Sequence, residues 1–279
     1  MLKPPDFIII GAMRAGTTSL AERLARHPEI GMSRMKETDF FIQEKNFSRG
    51  YNWYRSLFPS GKRILGEASP NYTKGDVFKG VPARIHTMRP DVKLIYIVRD
   101  PVDRFCSHYA HSCLVHGGLG APEEIFNERE GAHVLASSMY YRQASAFLEV
   151  FPRSQLKIID FDELVDSPDA TLADICAFLE VDHTQEFAWA EKTNSAQSLS
   201  MTPAWALRIS QHQAITGFKA AMPASIRSSM KLMLSRAFGE QRETPLIPQD
   251  TRERVRDAVA DDASQFRALT GLAFANWSV

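Results

Sequence analysis

The side chains best suited to chemistry concentrate in two short stretches. The first is FIIIGAMRAGTTSL, residues 7–20, where Gly11 and Gly16 bracket a tight loop. Thr17, Thr18 and Ser19 then open a pattern of helical period with Leu20 and Leu24. A loop of this kind turns several backbone N–H groups toward one point at a helix N-terminus, where the dipole also favours negative charge, so phosphate binding is the chemistry it suits. Arg14 would add charge, and the Thr17 and Thr18 hydroxyls would add donors. The spacing copies most of a Walker loop, except that Thr17 stands where that motif carries lysine. Without a lysine to reach the β/γ-phosphates, a nucleotide kinase or ATPase is a strained reading. An ordinary βα turn with glycines for packing is the bland alternative.

The second stretch is IVRDPVDRFCSHY, residues 97–109. VKLIYIV, residues 92–98, is the clearest buried strand in the sequence, and it places Arg99 at its carboxyl end, where open parallel sheets bind ligands. Pro101 opens a helix over residues 102–112 with Asp100 as N-cap. Ser107 falls about two turns into that helix, so Arg99 and Ser107 are read as a second phosphate grip. The alternatives are an ion pair from Arg99 to Asp100 or Asp103, and a helix-surface hydroxyl for Ser107. Between the two stretches, EIGMSRMKETDFF at residues 29–41 gathers Arg34, Lys36, Glu37 and Asp39 before the pair Phe40-Phe41. It suggests a segment anchored by its rings with polar groups facing a site; the alternative is a solvated loop.

These stretches need a scaffold, and the remaining pattern supplies one. Strands are predicted at residues 7–10, 92–98 and 155–161, and helices at 17–26, 82–89, 102–112, 140–151 and 170–179. Trp53, Tyr54, Leu57 and Phe58 form a helical stripe suited to the core, and GEASPNY, residues 66–72, reads as a strand end opening into a loop. Residues 117–131 read as a flexible excursion. Strands alternating with helices indicate an α/β fold: a P-loop-like parallel sheet, right-handed crossovers and helices on both faces.

With 279 residues, 44% of them hydrophobic, the chain can bury a large core, and it is read as a single domain over residues 1–279. The formal net charge is zero, so bulk charge points to no nucleic-acid partner. Cys106, Cys113 and Cys176 are too few and too scattered for a disulfide framework or zinc site, and are read as buried thiols. The N-terminal apolar run is too short for a signal peptide or membrane span, which gives the expectation of a soluble, cytoplasmic protein. Between Glu191 and Glu240 no acidic residue occurs, while Lys192, Arg208, Lys219, Arg227, Lys231 and Arg236 do. Within this stretch, residues 225–238 are amphipathic. Residues 194–239 are accordingly expected to form a helical lid or acceptor-side segment, with membrane-surface contact through 225–238, or else a helix packed with its basic face in water.

Taken together the motifs resemble the sulfotransferases that use 3′-phosphoadenosine 5′-phosphosulfate (PAPS), in particular bacterial relatives of the heparan-type carbohydrate sulfotransferases. The resemblance rests on GAMRAGTTSL, KETDFF, YNWYRSLFP, GEASPNYT and IVRDPVDRFCSHY, and continues in YYRQASAFLEVFP, IIDFDELVDSP and LTGLAFANW. It implies that Arg14, Ala15, Gly16, Thr17, Thr18 and Ser19 hold the 5′-phosphosulfate, and that Arg99 and Ser107 hold the 3′-phosphate. Glu37 stands where the heparan-type enzymes place a catalytic base, and Arg14 would balance charge on the departing phosphate oxygen. Adenosine 3′,5′-bisphosphate would be the product, no metal is demanded, and the acceptor would be a small-molecule, carbohydrate or lipid-linked hydroxyl. Two departures stand out. Arg14 replaces the loop lysine, and a guanidinium gives up a proton less readily than an ammonium. Ala68 replaces the lysine of the family's Glu-Lys-Ser/Thr stretch, so a heparan-like acceptor is not implied. The rival readings are a magnesium-dependent P-loop phosphotransferase and a catalytically silent nucleotide-binding module.

Overall fold

Five short apolar runs pair into one parallel sheet in a computed structural model of the chain, which describes residues 5–116, 129–183 and 246–279. The strands are β1 (Phe7–Gly11), β2 (Ile30–Met32), β3 (Ile64–Ala68), β4 (Lys93–Val98) and β5 (Leu156–Asp160), in the spatial order β2-β3-β1-β4-β5. β1 and β4 are almost continuously apolar because the parallel sheet, flanked by helices, buries both of their faces. Phe7 packs its ring over Gly66 on the neighbouring strand. A Cβ at Gly66 would meet the ring at 2.1 Å, so the side chain's absence there lets β3 lie against β1.

The helices are α1 (Thr17–Leu24), α2 (Gly50–Ser56), α3 (Val81–Met88), α4 (Pro101–His116), α5 (Arg129–Ala136), α6 (Tyr140–Leu148), α7 (Phe161–Asp166), α8 (Pro168–Leu179) and α9 (Gln249–Thr270). The expected α/β architecture is therefore present, with boundaries within a few residues of the pattern. Asp100 caps α4 as predicted, its Oδ1 accepting from Asp103 N at 2.8 Å. Two elements lacked a strong local signal. β2 is only three residues long and exists through its register with β3, Ile30 opposite Ile64. α7 starts at once from the end of β5, its N-cap supplied by Asp160. A third, α9, was written in the sequence: Val255, Val259, Ala263 and Phe266 recur at helical spacing and are buried.

Several expectations change. α4 extends to His116, four residues beyond the predicted end, and α5 begins inside the stretch read as a flexible excursion. α2 stops at Ser56, so Leu57 and Phe58 pack from the turn that follows rather than from the helix. Of the three thiols only Cys176 is buried; Cys106 is half-buried and accepts from Arg252 Nη1 at 3.1 Å. The segment 194–239 lies outside the described residues, as does the amphipathic piece 225–238. The chain divides into two compact units, one of Met1–His108, Gly120–Trp189 and Ile247–Val279, which holds the sheet, and one of Tyr109–Leu119 and Ala190–Leu246. No described helix is long and apolar enough to cross a membrane.

Asp160 offers a test of this packing. It is nearly buried at the end of β5, and burial pushes its carboxyl up to about 6. Between the unfolded value near 4 and about 6 the folded state holds more protons than the unfolded chain, so stability from this group falls as pH rises through that window. Asn keeps the cap but carries no charge. Asp160→Asn should match the wild type in thermal unfolding near pH 4 and exceed it by on the order of 2 kcal/mol at pH 7.

Candidate active site

The crossovers run β1 to β2 to β3 on one side of β1 and then to β4 and β5 on the other, so the direction of winding switches between β1 and β4. Loops leaving the carboxyl ends of strands on either side of such a switch part from one another and leave a crevice. Here that crevice receives both reactive stretches. The loop between β1 and α1 carries Arg14, and the end of β4 carries Arg99. The two strand ends are tied by Ala12 N donating to Ile97 O at 2.7 Å.

Gly16 serves as N-cap of α1 in the left-handed region, with φ of 89°. A Cβ there would lie 2.9 Å from the Phe161 ring, so conformation and space both call for glycine. Arg14 is also left-handed, with φ of 70°, and its Nε donates to Ser107 Oγ at 3.1 Å. This bond joins residues 93 apart, one from each predicted phosphate grip. Burial lowers the pKa of Arg14, and the charge of nearby Arg99 lowers it further. Two cations held this close favour an anion between them.

Arg99 is held by its backbone. Its N donates to Tyr140 Oη at 3.3 Å, while Tyr140 Oη donates to Arg99 O at 2.8 Å. Tyr140 is the first residue of α6, whose leading N–H groups at Tyr141 and Arg142 donate to Asp262 of α9 at 2.9 Å. The Arg99 guanidinium lies over the Phe161 ring and 3.9 Å from Asp103, a distance too loose to spend its charge. Arg104, which the sequence reading passed over, is fully buried one turn into α4. Its guanidinium donates to Ser138 Oγ (2.6 Å), Met13 O (3.3 Å) and Val134 O, and pairs with His108 Nδ1 (3.0 Å). It thereby ties α4 to the carbonyl just before Arg14.

On the β2–β3 side of the loop lies an open cleft of about 210 Å³. Thr17, Thr18, Ala21, Glu22 and Ala25 of the first helix and its continuation form one wall. Arg34, Lys36, Glu37, Ala68 and Pro70 also line the cleft. Among the sequence-predicted residues, Glu37, Thr17 and Thr18 therefore meet in the cleft, and Arg14, Arg99 and Ser107 meet beside it. Ala15 is buried beneath the loop, and Ser19 is exposed and outside the cleft lining. Glu37 sits at φ of 54° with Lys36 Nζ 3.6 Å from its carboxylate. The ring-anchored reading of residues 29–41 holds for Arg34, Lys36 and Glu37, since Phe40 and Phe41 are buried and Phe40 stacks on Tyr54 at 4.2 Å. Asp39 departs from it: it is buried, paired with Lys45 and bonded to Asn71 Nδ2 at 3.0 Å.

Two charged residues near the cleft carried no sequence signal of burial. Glu67 is fully buried, and burial raises its pKa against the opposing effect of the hydroxyl groups that donate to it. Lys74 follows the 3₁₀ turn Pro70–Thr73; burial and the charges of Arg104 and Lys45 lower its pKa to about 8, while Asp39 and Glu37 act the other way. Charged residues are rarely buried, so a lone sequence gives no reason to place either inside.

The arrangement so far defines a parallel α/β protein with clustered cations at the strand ends of its switch point and a carboxylate across a neighbouring cleft. The chain belongs to the sulfotransferase family: the sulfotransferase domain model matches residues 4–217. It is 33% identical over 183 residues to heparan sulfate glucosamine 3-O-sulfotransferase 6 of Homo sapiens, a match covering 63% of this chain and 52% of the relative. The match to heparan sulfate glucosamine 3-O-sulfotransferase 5 of Mus musculus is 30% over 179 residues, covering 59% of this chain and 50% of that one. The chain thus spans about half the length of these curated relatives. In fold it is similar to a sulfotransferase from Alicyclobacillus acidocaldarius, with a TM-score of 0.69 and 22% identity over 99% of this chain and 100% of that one.

Lys74 carries a stability signature. Its folded pKa lies below its unfolded value, so the charged form is disfavoured by folding and stability rises as pH climbs through the interval from about 8 to 10.5. Lys74→Met should be more stable than wild type at pH 7 by on the order of 1 kcal/mol, discounted for the part of the side chain that water reaches. Thermal melts between pH 7 and 10 should show the two converging.

Proposed function

We propose that the protein transfers the sulfuryl group of PAPS to a hydroxyl of a carbohydrate or other small metabolite. The observation that carries this reading is the convergence of Arg14, Arg99 and Ser107 at the carboxyl ends of β1 and β4. A compound with phosphate groups at two separated positions suits two cations drawn from two strand ends. Family membership says which such compound to expect.

The residues present fit that co-substrate. The Thr17 and Thr18 hydroxyls and the backbone N–H groups of Ala15, Gly16 and the first turn of α1, Ser19 included, would receive the 5′-phosphosulfate. Arg99 and Ser107 would receive the 3′-phosphate. Ser107 now accepts from Arg14 and would exchange that contact for phosphate oxygen. PAPS supplies an activated sulfuryl group. Glu37 takes the proton of the acceptor hydroxyl as that oxygen bonds to sulfur, and the bond from sulfur to the phosphate oxygen breaks. Arg14 faces the negative charge that grows on the departing oxygen, leaving adenosine 3′,5′-bisphosphate. Its guanidinium stabilises this charge without giving up a proton. The loop amides and Arg14 supply the charge that a metal supplies to phosphotransferases, so metal is not required.

The cleft also bears on the acceptor. Its volume falls below the roughly 300–1,000 Å³ of pockets that enclose drug-sized ligands, so it suits the reacting end of an acceptor rather than a whole one. The curated relatives are named for a sugar hydroxyl, which supports a carbohydrate.

A metal-free calorimetric titration with adenosine 3′,5′-bisphosphate, set against ATP with magnesium, tests the co-substrate. Binding of the bisphosphate should be the tighter, and Arg99→Ala should weaken it by about 10-fold or more, as expected for losing a charged hydrogen bond. Preference for ATP with magnesium would return the phosphotransferase reading. Glu37→Gln should leave bisphosphate affinity unchanged and lower turnover by about 10²-fold or more. Unaltered turnover would favour a different base, and bisphosphate binding without any turnover in the wild type would favour a silent module.

A further inference from the structure

The carboxylate of Glu67 lies fully buried near the end of β3, and its ring of partners is made of hydroxyls. Oε1 accepts from Tyr54 Oη at 2.6 Å and from Tyr72 Oη at 3.0 Å. Oε2 accepts from Ser69 Oγ at 2.8 Å and from Thr38 Oγ1. These donors come from α2, the turn after β3 and the loop after β2, so one carboxylate joins three separate elements.

The direction of these bonds matters. An ionised carboxylate only accepts, and each hydroxyl has one hydrogen to give. With that hydrogen committed to Glu67, the lone pairs of Ser69, Thr38 and Tyr72 face outward and accept from backbone. Asp39 N donates to Ser69 Oγ at 3.1 Å, Phe40 N to Thr38 Oγ1 at 3.3 Å, and Phe41 N to Tyr72 Oη at 3.3 Å. Three successive N–H groups are thus held through three hydroxyls by one carboxylate. The segment they hold needs holding: Glu37 and Asp39 are both non-glycine residues in the left-handed region, at φ of 54° and 46°. Such backbone is strained for a residue with a Cβ and persists only where its surroundings impose it.

We propose that Glu67 is a positioning residue for Glu37: through Thr38, Ser69 and Tyr72 it fixes the left-handed turn that presents the Glu37 carboxylate at the cleft. The inference rests on the reading of Glu37 as general base. It assigns to a residue outside the cleft the alignment of the proton acceptor, and it makes the acceptor-only character of the carboxylate the working property. A glutamine of the same shape must donate two hydrogens into the ring of hydroxyls, turning some of them round against the backbone N–H groups they now receive.

The test follows amide exchange at Asp39, Phe40 and Phe41 in wild type, Glu67→Gln, Thr38→Val and Tyr54→Phe. It is run beside bisphosphate release from PAPS with an alkyl alcohol and with an acidic phenol as acceptors. Thr38→Val leaves Glu67 its other donors, so it serves should Glu67→Gln fold poorly. Exchange should be about tenfold faster at all three amides in Glu67→Gln, and at Phe40, whose acceptor is the Thr38 hydroxyl, in Thr38→Val, the effect of losing one net hydrogen bond. In Tyr54→Phe it should be unchanged, because the Tyr54 hydroxyl touches none of the three N–H groups. Turnover with the alcohol should fall toward that of Glu37→Gln, with the KM for PAPS unchanged. Turnover with the phenol should fall less, because its proton leaves with less help. Unchanged exchange, or an equal fall with both acceptors, would overturn the assignment while leaving Glu37 as base. If Glu37→Gln itself turned over normally, the base reading would fail, and the role of Glu67 with it.

Discussion

The pairing of β1 with β4 is the constraint on which the site depends. The strands are separated by more than eighty residues of chain, yet the parallel ladder between them, continued by Ala12 N to Ile97 O, sets their carboxyl ends side by side. Because the winding reverses there, no crossover covers those ends, and the loop bearing Arg14 opens next to Arg99. Two half-buried or half-exposed guanidinium groups that would repel in isolation are kept together by apolar burial of the strands beneath them. The sheet's hydrophobic free energy thus holds a charge arrangement that electrostatics alone would disperse.

Around this pair the fold places rigid supports. Tyr140 bridges the N and O of Arg99, and the helix that carries it is capped by Asp262 from α9, so α9 braces the strand end through α6. Arg104 reaches across to the Met13 carbonyl and anchors the loop from the α4 side. Each is a buried polar group whose hydrogen bonds are made, which is the condition for its burial to be tolerated. On the opposite side, Phe40 and Phe41 drive residues 38–41 inward by burying their rings, while Glu67 and its hydroxyls receive the backbone groups this burial removes from water. Lys74 and Asp160, each shifted by burial, show that the strand-end face retains charges that weigh against stability. The proposed function, which binds anions and moves a proton, gives a reason to keep them.

The amino-acid order by itself determined the features that depend on neighbours in the chain. VKLIYIV reads as a buried strand because it is almost wholly apolar; Asp100-Pro101 reads as a helix start because the cap and the fixed proline φ act within three residues; Gly16 marks the loop because its left-handed backbone favours glycine. The same locality singled out Arg14, Arg99, Ser107 and Glu37 as candidates in three stretches of sequence. Only the tertiary structure decided what depends on distant partners. β2 is too short to declare itself without β3, and Arg14 and Ser107 carry no mark of lying 3.1 Å apart. Asp39, Glu67 and Arg104 look like surface charges in the sequence, because burial of a charge is possible only where separate elements bring hydroxyls, carbonyls or a counter-charge to it. Many of those partners, such as Thr38 for Glu67 and Ser138 for Arg104, lie about thirty residues away, and sequence spacing encodes no distance between them until the sheet has closed.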